Sequence, residues 1–266
     1  MIEIEVYYGL SGLPFDKSIK SEEIFLSASA KELFSRLEYM KAHRGLMLVT
    51  GEPGTGKTTI LRAFVDKLSQ LSYQSFYVPL STVNVLDFYR QLNYHLGGAP
   101  LYFKSTLFRS IQKAIKDFVT HTKKIPLVIF DEAHLLKNEN LFELQIITNF
   151  NMDSTDPAIF ILAAQSHLAE RLSRSILSSF AQRIQLKYHL IPLQKEEVEP
   201  YINHHLSLKG CQKSPFSQPA IEAIYKNTGG LPRLIGSLAL KTMVLGSLQK
   251  AEVLTEEHVF QATCEL

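Results

Sequence analysis

The chain has 266 residues, room for one substantial core plus a smaller appended domain, since single cores stop growing at roughly that size. Hydrophobic residues make 45% and charged residues 20%, close to the averages of folded domains, which excludes extensive disorder. A net charge of +2 permits nucleic-acid binding without arguing for it, and two cysteines, Cys211 and Cys264, exclude a disulfide framework.

Residues 1–26 mix glycine, proline and aromatic residues and read as an irregular arm packed on the core. The start, MIEIEVYYGL, carries acids where a secretory signal would carry bases, so the expected location is the cytoplasm. From Ser27 to about His43, Leu33, Phe34 and Leu37 recur at helical spacing, with Ser27 or Ser29 as N-cap. An apolar run, Leu46 to Val49, then leads into GEPGTGKTT, and a helical pattern follows from Ile60 to Leu71.

Those nine residues are Gly51, Glu52, Pro53, Gly54, Thr55, Gly56, Lys57, Thr58 and Thr59, and they satisfy G-x-x-x-x-G-K-[ST] in the strand, loop, helix context that the motif requires. Glycines let the backbone curl so that successive N–H groups point at phosphate oxygens, and the helix starting near Lys57 adds its positive end. Lys57 is placed for the β- and γ-phosphates of ATP, and the Thr58 hydroxyl for Mg²⁺.

Downstream, Ser75 to Leu80 reads as a strand, and Asn84 to Leu96 and Thr106 to Thr120 read as helices parted by Gly97, Gly98 and Pro100. Pro126 to Phe130 is a continuous apolar run suited to a strand buried on both faces. It delivers Asp131 and Glu132 at its carboxyl end, where ligands bind in open α/β sheets. Asp131 is placed to hold Mg²⁺ and Glu132 to deprotonate the water that attacks the γ-phosphate. A helix over Glu139 to Phe150, a strand over Ile159 to Ala163, a broken helical stretch from Ser166 to Ala181 and a strand over Ile184 to Leu190 complete a pattern of alternating strands and helices. That pattern predicts an α/β fold, a doubly wound parallel five-stranded sheet between helical layers. Past Pro192 only helices are predicted: about Lys195 to Leu208, Gln218 to Asn227, Pro232 to Leu245 and Thr255 to Cys264, with Ser217 and the pair Thr255 and Glu257 as start signals. The predicted division is a nucleotide-binding α/β domain with its arm, 1–192, and a helical lid domain, 193–266. No apolar run approaches roughly eighteen residues, Leu231 to Gly246 being broken by Pro232, Arg233 and Lys241, so no membrane association is expected.

Lys104, Arg109, Lys113 and Lys116 fall along the predicted helix Thr106 to Thr120 or just before it, a stripe able to track the phosphates of duplex DNA. Any amphipathic helix shows water the same stripe. His134, His204 and His205 read as ordinary helix or loop residues, since no third ligand shows metal-binding spacing.

Six strings in order, GLSGLPF, GEPGTGKTT, LVIFDEAHLL, ILAAQSHL, FAQRIQLKYHLIPL and GGLPRLI, cover roughly Gly9 to Leu245. In this ordered set the chain resembles the AAA+ ATPases, within them the ExeA-like branch that includes transposon-encoded ATPases such as TnsC. The resemblance implies ATP hydrolysis with Mg²⁺ and a P-loop core carrying a helical lid. It implies that Gln165 is the polar sensor of the γ-phosphate, although a polar residue at a strand exit has the same look. It makes Arg183 the arginine finger acting on a neighbouring subunit, with Arg171 and Arg174 as competitors, and Arg233 the second sensor. Pro14 and Phe15 stand where the family's arm touches adenine, a place where core packing explains an aromatic equally well. A finger in trans implies self-assembly into a ring or helical filament, and Arg183→Ala is expected to keep nucleotide binding and lose hydrolysis. Secretion-linked members carry a C-terminal membrane segment and a wall-binding module. The chain ends at Leu266 without them, so the expected role is that of a transposition helper that assembles on DNA and engages a transposase, the alternative being an assembly ATPase acting on envelope proteins.

Overall fold

A computed structural model describes residues 2–79 and 84–264. Leu80, the last residue of the strand expected from Ser75, lies outside them. The elements run α1 (Ile2–Tyr8), α2 (Ala28–His43), β1 (Gly45–Gly51), α3 (Lys57–Asp66), β2 (Tyr73–Pro79), α4 (Val85–His95), α5 (Lys104–Asp117), β3 (Ile125–Asp131) and α6 (Asn138–Ile147). They continue with β4 (Ile159–Ala164), α7 (His167–Leu172), α8 (Ser178–Arg183), β5 (Ile184–Leu190), α9 (Lys195–Ser207), α10 (Gln218–Thr228), α11 (Pro232–Leu248) and α12 (Glu256–Cys264). Short 3₁₀ turns at Ala133–Leu135 and Ser175–Leu177 and a π turn at Phe118–Thr122 join some of them.

By their contacts the residues form two compact units, one of 32–52 and 57–190, the other of 1–31, 53–56 and 191–266. The first is built on a five-stranded sheet of order β2-β3-β4-β1-β5, parallel throughout. The three inner strands are the continuous apolar runs of the sequence and are buried almost end to end. The edge strands β2 and β5 alternate buried or half-buried with exposed positions, as strands with a neighbour on one side only can afford to. Their core gathers Leu48, Val128, Phe130, Phe160 and Leu162 from the sheet with Phe88, Ile111 and Leu144 from helices. Thr50 pairs with Ala164 and Phe130 with Leu162, so the carboxyl ends of β1, β4 and β3 finish at one rim. The loop after β1, Gln165 after β4 and Asp131 at the end of β3 are therefore delivered to the same edge by register alone.

The second unit is helical. Val198, Ile224, Leu238 and Val259, from α9 to α12, share a core with Ile4 and Leu10 of the N-terminal arm. Here the structure differs from the expectation in two ways. The arm begins with a helix, α1, although IEIEVYY alternates like a strand, because burial of Ile4 among the C-terminal helices overrides a weak local preference. Its apolar residues also join the helical core rather than that of the sheet. α3 ends at Asp66, not near Leu71, which is 86% exposed. Caps fall where expected for α2, with Ser27 Oγ accepting from Ala30 N at 3.1 Å, and for α10, with Ser217 Oγ accepting from Ala220 N at 3.4 Å. Gly230, at φ 78°, lets the turn before α11 pass under Leu193: a Cβ there would stand 2.0 Å from the Leu193 carbonyl oxygen. Among the described residues, no helix is long and apolar enough to cross a membrane.

Candidate nucleotide site

In the sheet unit the rim brings together two segments far apart in sequence. Lys57 opens α3 and is nearly buried; its Nζ donates to the carbonyls of Gly51 at 2.9 Å and Glu52 at 3.0 Å, so the ammonium is held over the loop that follows β1. Next to it Thr58 Oγ1 donates to Asp131 Oδ2 at 2.9 Å, across 73 positions of sequence. Asp131, 5% exposed, receives two further donors, Tyr77 Oη on Oδ2 at 2.8 Å and the Glu132 backbone N–H on Oδ1 at 2.9 Å. An ionised carboxylate so placed is fully compensated, which lets a charge stand at the end of a buried strand. Burial and then the bond to Asp131 push the Tyr77 phenol above its ordinary range, so Tyr77 is a fixed donor.

Glu132 leaves the strand with φ 51° and ψ 34°, a left-handed conformation unusual for a residue with a side chain. Its carboxylate is 55% exposed, and Oε2 lies 3.4 Å from Nδ1 of the buried His134. Burial lowers the His134 pKa against the pull of Glu132, so the ring is neutral near neutral pH. Gln165 directly follows β4 and is half-buried, between the loop after β1 and Asp131 by register.

In the helical unit, the middle of the loop meets the start of α11. Gly54 and Gly56 have φ of 89° and 95°, and a Cβ on Gly54 would come within 3.1 Å of the Arg233 Cβ. The Arg233 backbone N–H donates to the Gly54 carbonyl at 3.2 Å while its side chain is exposed. Phe15 packs on Gly236, Tyr201 and His205 inside this unit.

The three candidate finger arginines have different surroundings. Arg171 turns inward, Nη1 donating to the His134 carbonyl at 3.1 Å and Nη2 to that of Leu136 at 2.6 Å. Arg183 pairs with Asp153 at 2.6 Å, and Arg174 is exposed. On α5, Lys104 is paired with Glu143 and Lys113 with Asp117, Lys116 lies over the Phe150 ring at 5.9 Å, and Arg109 is exposed. Two charges of that stripe are therefore already matched by acids of the same unit. Nothing in the sequence signals the contacts that Tyr77, His134 and Arg171 make. A tyrosine in an edge strand and an arginine in a short helix carry no spacing signal, and the histidine of DEAH has no metal-binding spacing to mark it.

The donor set fits a magnesium nucleotide. Thr58 and Asp131 offer hard oxygen ligands on one side, and Lys57 offers a buried cation held by the Gly51 and Glu52 carbonyls on the other. In sequence, the chain is 28% identical over 244 residues to the general secretion pathway protein A of Aeromonas hydrophila, covering 90% of this chain and 44% of that protein. The chain thus spans less than half the length of that relative. In structure, it is similar to Cdc6p of Pyrobaculum aerophilum, with a TM-score of 0.69 at 14% identity over 94% of this chain and 70% of that one. The ORC2 protein of Aeropyrum pernix gives a TM-score of 0.66 at 18% identity over 94% and 71%. The ORC of Drosophila, solved bound to DNA, gives 0.63 at 16% identity over 99% and 65%. Residues 40–172, half of the chain, match the family described as AAA domain. With its phosphate loop after β1 and its acidic pair after β3 on one parallel five-stranded sheet, the chain belongs to the AAA domain family.

Proposed function

We propose that this chain binds ATP with Mg²⁺ at the carboxyl rim of its sheet and hydrolyses it to ADP and phosphate. The observation that carries the reading is the 2.9 Å bond from Thr58 to Asp131, which joins the phosphate-loop helix to the acidic strand end. Lys57, Thr58 and Asp131 would hold the magnesium nucleotide, with the backbone of Gly51 and Glu52 beside its phosphates. When bound, the ion would supply positive charge against the phosphate oxygens. Glu132 accepts the proton of the attacking water, Gln165 orients that water, and Arg233 serves as the second sensor. Arg171 is committed to two backbone carbonyls, so a finger reaching a neighbouring subunit is Arg183, released from Asp153, or the exposed Arg174.

ATP then acts as an assembly switch. The subunits join into a ring or filament on duplex DNA, through Arg109, Lys116 and, once freed from their acids, Lys104 and Lys113, and the assembly engages a transposase. The fold is that of ORC proteins solved on DNA, which supports the DNA part of the reading. A second reading, an assembly ATPase serving secretion and acting on envelope proteins, is favoured by the 28% identity to general secretion pathway protein A.

Titration calorimetry tests the first step. The parent protein should take up ATP with Mg²⁺, and Lys57→Ala should show no measurable uptake; equal affinities would remove the nucleotide site. Electron microscopy with a non-hydrolysable ATP analogue, with and without duplex DNA, separates the two readings. Ordered assemblies that need both ligands support the DNA reading, and assemblies indifferent to DNA favour the secretion reading.

A further inference from the structure

We propose that His134 and Arg171 are positioning residues for Glu132, forming a brace that fixes the turn carrying the catalytic carboxylate. The inference rests on the reading of Glu132 as the base. A non-glycine residue held at φ 51° is strained and persists only where its surroundings fix it. The surroundings here are specific. The Glu132 N–H is anchored on Asp131 Oδ1, and the Glu132 carbonyl accepts from Leu135 N at 2.9 Å, closing the 3₁₀ turn. That turn is gripped from α7 by Arg171, whose two guanidinium nitrogens span the carbonyls of His134 and Leu136. One turn of helix earlier, His167 meets the His134 ring edge to face, at 4.9 Å and 86°. His134 is thereby pressed into place with Nδ1 buried and without a protein hydrogen bond, 3.4 Å from Glu132 Oε2.

At 3.4 Å the pair is longer than a good hydrogen bond, yet near enough for a Nδ1–H to hold the carboxylate electrostatically. Arg171 acts through geometry. Its planar fork serves two carbonyls two residues apart, a task that the single ammonium of a lysine cannot copy. The brace fixes the direction in which Glu132 leaves the strand, and so its distance from the water it deprotonates. Both bracing residues lie within the sheet unit, and neither is a metal ligand.

Single-turnover hydrolysis and nucleotide binding by the full chain test the brace. His134→Phe keeps the ring against His167 and removes Nδ1, and Arg171→Lys keeps the charge and removes the fork. Each should lower the hydrolysis rate roughly 10- to 100-fold with nucleotide Kd within about twofold, since displacements on the order of 1 Å at a reacting group have effects of that size. His134→Asn, whose amide places a donor near the Nδ1 position, should recover most of the rate. In a Glu132→Gln background, His134→Phe should cause no further loss, because the brace acts only through that carboxylate. A His134→Phe rate within about twofold of the parent, or an equal fractional loss in the Glu132→Gln background, overturns the inference. If one variant fails to fold, the other carries the test by the same criteria. Undiminished turnover in Glu132→Gln alone would overturn the assignment of the base, and the brace with it, which sets that failure apart from failure of the brace alone.

Discussion

The sheet unit and the helical unit treat buried polar groups differently. At the rim of the sheet, Asp131 has three donors and Lys57 two carbonyl acceptors, so charge is kept by meeting it with fixed partners. Inside the helical unit, His205 is wrapped by rings, Phe15 at 5.1 Å and Tyr201 at 4.6 Å, and burial, followed by the nearby charges of His204 and Lys209, lowers its pKa to about 4. At the rim the ions of Asp131 and Lys57 are stabilised, while around His205 the charged form is excluded. The difference suits chemistry at the rim and makes the surroundings of His205 sensitive to acid.

The largest expected effect tests whether the rim depends on the core beneath it. Phe130, fully buried one residue before Asp131, should cost about 3–5 kcal/mol of stability as Phe130→Ala, read from urea unfolding at pH 7. A loss below about 1 kcal/mol would mean that the strand end is held by its hydrogen bonds rather than by packing.

Next in size is the pH response of the helical unit. Because the folded His205 pKa lies near 4, below the ordinary 6.5, the unfolded chain binds the extra proton first. The associated stability is complete above about pH 6.5 and is lost progressively as pH falls through 4, by up to about 3 kcal/mol. His205→Leu should flatten that part of the pH dependence in urea titrations at pH 7 and pH 4.5. An unchanged slope would assign the acid response to other groups.

The smallest effect sharpens the contrast at the surface. Lys113 and Asp117 form an exposed i,i+4 pair on α5, so Lys113→Ala should shift stability by no more than about 0.5 kcal/mol. Its effect on DNA affinity, measured at two salt concentrations, would show whether Lys113 leaves Asp117 for phosphate. An affinity and salt slope identical to the parent's would remove Lys113 from the DNA surface.

Much of the architecture is set by local pattern. Short continuous apolar runs suit strands buried on both faces, and β1, β3 and β4 lie where Leu46 to Val49, Pro126 to Phe130 and Ile159 to Ala163 placed them. The phosphate loop and the acidic pair were legible for the same reason: their chemistry requires particular residues at fixed spacing beside a strand and a helix. Where the pattern was weaker, tertiary contacts decided. Ile4 draws an alternating segment into a helix, and Leu71 reads as part of α3 although nothing covers it.

The amino-acid order by itself determined the phosphate loop, the acidic strand end and the succession of strands and helices, because each depends on neighbours a few positions away. The register that aligns β1, β4 and β3, the two donors that reach Asp131 from Thr58 and Tyr77, and the grip of Arg171 on the turn after Glu132 were decided only in three dimensions. They join residues from about 35 to 115 positions apart, and at such separations only packing of the whole sheet unit selects which side chains meet.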